Sequence, residues 1–252
     1  IAQGTKIFSI NTGNFEETFI GVPNKEEQKK IASLLSHIDQ RIAIQNRVIE
    51  DLKRLKAAIE EQCFKSCDGN LIHLREILVE RVEKSDRKDQ YEVLSSTVTG
   101  IYSQREYFNK DIASTDNTGY KIIHRGDIVL SPQNLWMGNI NYNDCFEIGI
   151  VSPSYKVFSI NSLFDKEFIA YLLKTKRAQW EYSQVSEQGA SIVRRNLNIE
   201  NFLDISFMIP TLEEQKRIGQ RISAVNKKIG LEQQFLNHLY SQKMYLLKSM
   251  FI

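Results

Sequence analysis

The sequence has no run of 18 apolar residues, so no membrane-spanning helix is expected. Its opening, "IAQGTKIFSI", lacks a charged segment followed by an apolar one, which argues against a signal peptide. It also lacks a methionine, so the natural start is expected upstream. Cysteine is scarce: Cys63, Cys67 and Cys145 form an odd set without CxxC spacing. That argues against a disulfide or zinc framework and fits small buried thiols in a cytoplasmic protein. Neither GxGxxG nor GxxxxGK[ST] occurs, so dinucleotide and P-loop sites have no support. His37, His73, His124 and His238 are scattered without metal spacing, and no acidic cluster with a neighbouring lysine marks a nuclease. Charge of one sign is missing as well. Residues 65–206 carry 17 Lys and Arg against 19 Asp and Glu, while residues 207–252 carry 7 against 3. Binding to a polyanion must therefore rest on local clusters and not on bulk charge.

What the sequence does have is a repeated phrase. "VPNKEEQKKI" at 22–31 returns as "IPTLEEQKRI" at 209–218, an offset of 187 residues. The same offset carries a 4–3 apolar spacing through both copies. The first reads Ile31, Leu35, Ile38, Ile42, Gln45, Ile49, Leu52, Lys56, Ile59, Cys63. The second reads Ile218, Ile222, Val225, Ile229, Glu232, Leu236, Leu239, Lys243, Leu246, Met250. Apolar positions match apolar ones, and the two polar interruptions fall at the same places. A seam of this length predicts a coiled-coil helix in each copy, about 60 Å long at 1.5 Å per residue. Pro23 and Pro210 stand just ahead of the helices, with acidic first turns that suit the helix dipole.

The repeat orders the chain. Residues 1–22 read as the tail end of a preceding domain, because Asn14-Phe15 aligns with Asn201-Phe202 at the same offset. Residues 23–66 form the first long helix, 67–206 a complete globular domain and 207–252 the second helix. If that domain begins and ends at neighbouring points, the helices run antiparallel and bury each seam in the other. Flush ends set Ile49 against Glu232, around a pseudo-dyad near Arg47 and Gln234. The expected fold class is α+β: one globular domain plus two long antiparallel coiled-coil helices. Within the domain, 91–98, 126–131, 139–143 and 154–160 read as strands, and 163–185 as one amphipathic helix.

These residues resemble the specificity subunit of type I restriction–modification enzymes. The resemblance is carried by a proline and "EEQKKI" opening a long helix, duplicated around a globular domain. It is carried also by "HRGDIVLSPQNLWMGNI" (124–140) and "GIVSPSYKVF" (149–158) inside that domain. It implies that each target recognition domain reads one half of a bipartite double-stranded DNA site, and that the helices act as a ruler between halves. It implies docking of modification (methyltransferase) subunits, which bind S-adenosylmethionine, so the chain itself needs no cofactor. It implies also a motor-nuclease restriction subunit. Only one recognition domain is present, so the chain is either the C-terminal part of a longer subunit or a half-length form that pairs with a second copy.

DNA reading calls for bidentate donors and acceptors at base edges, and for small polar or basic groups at phosphates. Two segments concentrate these types. The first is the loop 131–136 with Gln133, Asn134 and Trp136, bracketed by Arg125 and Asn139. The second holds Gln188, Ser191, Arg194 and Arg195. Arg105 and Lys121 are further candidates. Beside this stand plainer readings. Asp127 organises a turn, Trp136 serves the core as readily as an interface, and Lys174, Lys176 and Arg177 line a solvated helix face. An enzyme is disfavoured, since the four prolines are isolated and no Asn/Asp-Pro-Pro-Tyr/Phe methyltransferase motif exists. A coiled-coil scaffold with a protein-binding insert is the alternative that the balanced charge keeps open.

Overall fold

Each copy of the repeated phrase is a helix start with its own locks. In the computed structural model, which describes residues 21–65, 68–108, 116–188 and 195–250 with positions 13, 16 and 19, Lys25–Lys65 form helix α1 and Leu212–Met250 form helix α7. Asn24 caps α1: its Oδ1 accepts the Glu27 N–H at 2.9 Å, and Glu27 Oε2 accepts the Asn24 N–H at 3.2 Å. Thr211 caps α7 through the Glu214 N–H at 3.4 Å. In both copies the glutamine turns back on the proline carbonyl: Gln28 Nε2 to Pro23 O at 2.8 Å and Gln215 Nε2 to Pro210 O at 2.9 Å.

The chain divides into two compact units, Ile1–Asp51 with Leu231–Ile252, and Leu52–Gly230. All twenty seam positions are buried or half-buried. In the first unit Ile38, Ile42 and Ile49 pack with Leu236 and Leu239, and Leu246 lies against them. The helices run antiparallel here, since Gln45 meets Glu232 while Asp39 meets Lys243 at 2.6 Å. At its centre the register departs from the flush-ended expectation, although the Asp39–Lys243 pair stays within one residue of it. Gln45, and not Ile49, lies opposite Glu232, donating from Nε2 to the Glu232 backbone carbonyl at 3.1 Å and to its carboxylate. The pseudo-dyad therefore passes through the first polar interruption of each copy, Gln45 and its repeat-equivalent Glu232. The physical reason is satisfaction: a polar group in an apolar seam is costly unless it meets a partner, and this register lets the two interruptions meet each other.

Replacing Gln45 by leucine is expected to cost about 1–2 kcal/mol through the lost amide donor. Adding Glu232→Leu should restore most of that loss, because an apolar pair of similar shape fits the seam. Thermal unfolding of the two single variants and the double variant measures the coupling. Strict additivity of the two losses would show that the residues do not act as a pair.

The second unit holds a mixed head. Its two ends are joined by an antiparallel pair, strand β1 (Asn70–His73) against β12 (Ser206–Ile209), with Asn70 opposite Ile209. This juxtaposition fixes the antiparallel course of the helices that lead in and out. Between these strands come helix α2 (Leu74–Ile77), strands β2 (Leu78–Glu80), β3 (Leu94–Ser96) and β4 (Ile101–Ser103), and helix α3 (Gln104–Phe108). Strands β5 (Lys121–His124), β6 (Asp127–Leu130), β7 (Ile140–Tyr142), β8 (Ile148–Val151) and β9 (Lys156–Ile160) follow. The central antiparallel sheet has the order β2-β9-β6-β7, and β3-β4 and β5-β8 form separate pairs.

The predicted single helix over 163–185 is two: α4 (Lys166–Leu172) and α5 (Lys176–Gln184). Thr175 causes the break. Its hydroxyl donates to the Leu172 carbonyl at 2.7 Å and accepts from the Ala178 N–H at 3.2 Å, which restarts the chain as a new helix. A hairpin of β10 (Ser186–Gln188) and β11 (Arg195–Leu197) and a short helix α6 (Ile199–Asp204) close the head.

The main core gathers Leu130, Phe158, Phe168, Tyr182, Phe202 and Phe207. Ile218 and Ile222 of α7 belong to it, and Ile59, Cys63 and Phe64 of α1 pack against it. The compact unit therefore runs from Leu52 to Gly230, beyond the expected limits of 67 and 206.

Candidate nucleic-acid interface

The "RGDI" stretch is a clamp built on two residues. Gly126 adopts φ +94°, a left-handed conformation that glycine takes at no steric cost. The next residue, Asp127, is buried at 2% exposure. Its carboxylate accepts Arg81 Nε at 2.8 Å, Arg81 Nη2 at 3.0 Å and the His124 N–H at 2.8 Å. Asp127 thus organises the turn, as its position promised, but it also holds a two-pronged ion pair with Arg81 that spacing alone does not disclose.

This clamp launches β6, whose end carries the segment read as a base-contacting loop. The segment is a 3-10 turn, Pro132–Met137, with proline in its first turn and Gly138 as a left-handed cap at φ +87°. Leu135 anchors it in the core, while Gln133 is exposed and Asn134 and Trp136 are half-buried. Helix α5 and strand β11 both pack against the turn. Strand β11 delivers Arg195, whose guanidinium lies over the Trp136 ring at 4.4 Å from its centroid. The two segments singled out by residue chemistry therefore converge. Trp136 is neither core nor free surface; it is the platform on which Arg195 rests.

The other candidates are placed differently. Asn139 departs from the expectation of an exposed bracket: it is buried at 4% exposure. Its Oδ1 accepts the Ser96 hydroxyl at 2.8 Å and its Nδ2 donates to the Ser96 carbonyl at 3.0 Å. Asn141 and Asn143 continue the inward row, bonding to Ser96 and Thr97 and to His124 and Phe146. Lys121 is half-buried in β5, and its ammonium donates to the Tyr155 carbonyl at 2.6 Å. Burial, with Lys156 and Lys84 adding to it, lowers its pKa below that of an ordinary lysine. Lys121 is thus committed to the fold. Arg125 is exposed and paired with Glu147, and Arg105 lies exposed on α3. Gln188 sits at the end of β10, opposite Arg195. Ser191 and Arg194 lie outside the described residues.

One group near this surface does not announce itself in the sequence, and another is placed otherwise than the sequence suggests. Trp180 on α5 is 59% exposed beside the turn. Lys174 stays exposed, yet its ammonium donates to three acceptors around the turn. Arg177 stands over the buried Phe207 ring at 5.7 Å. Among the described residues no cluster of three or more His, Cys, Asp or Glu could hold a metal ion, and no helix is long and apolar enough to cross a membrane.

The family description "Type I restriction modification DNA specificity domain" matches residues 1–54 and 80–240. The type I restriction enzyme MjaVIII specificity subunit of Methanocaldococcus jannaschii is 24% identical over 264 residues, covering 91% of this chain. The chain spans 60% of that curated relative's length. A solved S subunit of a type I restriction–modification system from M. genitalium covers 100% of the chain, with a TM-score of 0.56 and 19% identity; 68% of that subunit is matched. The HsdS subunit from Thermoanaerobacter tengcongensis covers 99%, with a TM-score of 0.56 and 16% identity; 64% of it is matched. Identities this low make the two structures informative about the fold alone.

Proposed function

Because the chain belongs to the family of type I restriction modification DNA specificity domains, we propose that it reads one half of a bipartite site in double-stranded DNA. The reading surface is the 3-10 turn with Gln133, Asn134 and Trp136, joined by the β10–β11 hairpin with Arg195 and, in the segment between its strands, Ser191 and Arg194. The observation that carries this proposal is the seating of Arg195 over Trp136. It gathers two polar segments, far apart in the chain, onto one face of the head. Amides of glutamine and asparagine suit adenine edges, and arginines suit guanine edges or phosphates. The chain acts as a binding subunit. In this reading its paired helices dock modification subunits, which hold S-adenosylmethionine and perform methyl transfer, and a restriction subunit completes the assembly.

Two measurements test this. The first incubates the full chain with a randomised duplex pool at low salt, with and without the cognate modification subunit. Weak binding alone and sequence-selective binding in the complex support the reading. No binding in either condition points instead to a protein-binding scaffold. Methylation or cleavage by the chain alone would make it an enzyme. The second is the Arg194→Ala, Arg195→Ala variant, expected to weaken DNA binding about tenfold. It should also flatten the dependence of log K on log salt by about one unit for each phosphate that is no longer neutralised. An unchanged affinity and slope would remove both arginines from the interface.

A further inference from the structure

Lys174 occupies the break between α4 and α5, and all three of its ammonium protons have acceptors. It donates to the Val98 carbonyl at 3.1 Å, the Gly138 carbonyl at 3.1 Å and Asn141 Oδ1 at 3.0 Å. These acceptors belong to three different pieces of the head. Val98 lies in the tip of the β3–β4 hairpin, which closes with the Thr97 N–H donating to the Gly100 carbonyl at 2.8 Å. Gly138 caps the 3-10 turn. Asn141 lies on β7, and its Nδ2 donates to the Ser96 hydroxyl at 2.8 Å and the Thr97 carbonyl at 2.6 Å. Ser96 in turn bonds Asn139 on the far side. One continuous polar network thus ties the hairpin tip to the turn, and Lys174 supplies its positive charge.

Residues of such a network are costly to leave half-satisfied, so its geometry is held as a unit. The ammonium is partly screened although the residue as a whole stays exposed: burial, with nearby Lys56 adding to it, lowers the Lys174 pKa below that of an ordinary lysine. A cation kept for contact with DNA would keep its donors open. This one has committed them to backbone carbonyls and an amide.

We propose that Lys174 is a positioning residue that holds the hairpin tip Thr97–Gly100 and the 3-10 turn Pro132–Met137 in fixed register, and so sharpens sequence discrimination without touching DNA. The clamp itself stands on the hydrogen bonds above. Its effect on discrimination rests on the proposed DNA reading.

The test uses the full chain carrying Lys174→Met, with Lys174→Gln taking its place should the first variant not fold. Without DNA, amide hydrogen exchange at Thr97, Gly138 and Asn139 is expected to quicken at least fivefold in the variant. With a randomised duplex pool, the sequence preference of the bound fraction should broaden while the salt slope of binding holds. Unchanged exchange at either segment overturns the proposal. A salt slope lower by about one unit also overturns it, since that is the mark of a lysine that had been neutralising a phosphate. Faster exchange at both segments, in a chain whose unaltered form selects no sequence from the pool, upholds the clamp and refutes the DNA reading.

Discussion

Asp127→Ala is expected to lower the stability of the globular unit by about 3 kcal/mol. The carboxylate is buried and meets three donors, two from the Arg81 guanidinium and one from the His124 amide. Removing one partner of a buried ion pair typically costs about 3–5 kcal/mol, because the other charge stays behind. Arg81 keeps 29% of its side-chain surface exposed, so water recovers part of that loss and the lower end applies. Asp127→Asn keeps one acceptor without the charge and should cost roughly half as much. The chain's two tryptophans, Trp136 and Trp180, both lie in this unit, so fluorescence follows the head without interference from the first unit. A midpoint lower by about 6–12 °C is expected for Asp127→Ala. A shift under about 2 °C would mean that the clamp contributes nothing.

Ile49→Asp strikes the paired helices about as hard or harder, at about 4–5 kcal/mol. Ile49 is 3% exposed among Ile38, Ile42, Leu236 and Leu239. The substitution loses the packing of a buried aliphatic chain and introduces an ionisable group with no donor provided for it. Far-UV circular dichroism at 222 nm should show an early loss of helix, while the tryptophan-reported transition of the head moves much less. Coincident transitions would show that the helix pair and the head unfold as one body, and a variant with normal helicity would contradict the seam.

The seam is legible because its period is long and its interruptions repeat at one offset. Register is not legible from helix ends. It depends on which polar groups have to face each other, and Gln45 and Glu232 carry that information in plain sight. Asn139 misleads because residue chemistry sets it beside the 131–136 loop, although 139–143 already reads as a strand, whose alternation turns Asn139, Asn141 and Asn143 inward together. Lys174 and Lys176 sit two residues apart and read as one solvated face. Only the helix break at Thr175 turns the ammonium of the first onto carbonyl acceptors. The seating of Arg195 on Trp136 joins segments that no local pattern relates, so only tertiary structure could reveal it.

The ladder between β1 and β12 makes the head a portable cassette. Its two ends leave side by side, within an inter-strand spacing of about 5 Å. A host needs only two antiparallel helices at ordinary packing distance, about 8–10 Å, to accept it as a graft. The excised piece must begin at Leu52 and finish at Gly230, since Ile59, Phe64, Ile218 and Ile222 travel with the main core. Cut at 67 and 206, the same graft would leave behind the helical turns that complete its interior.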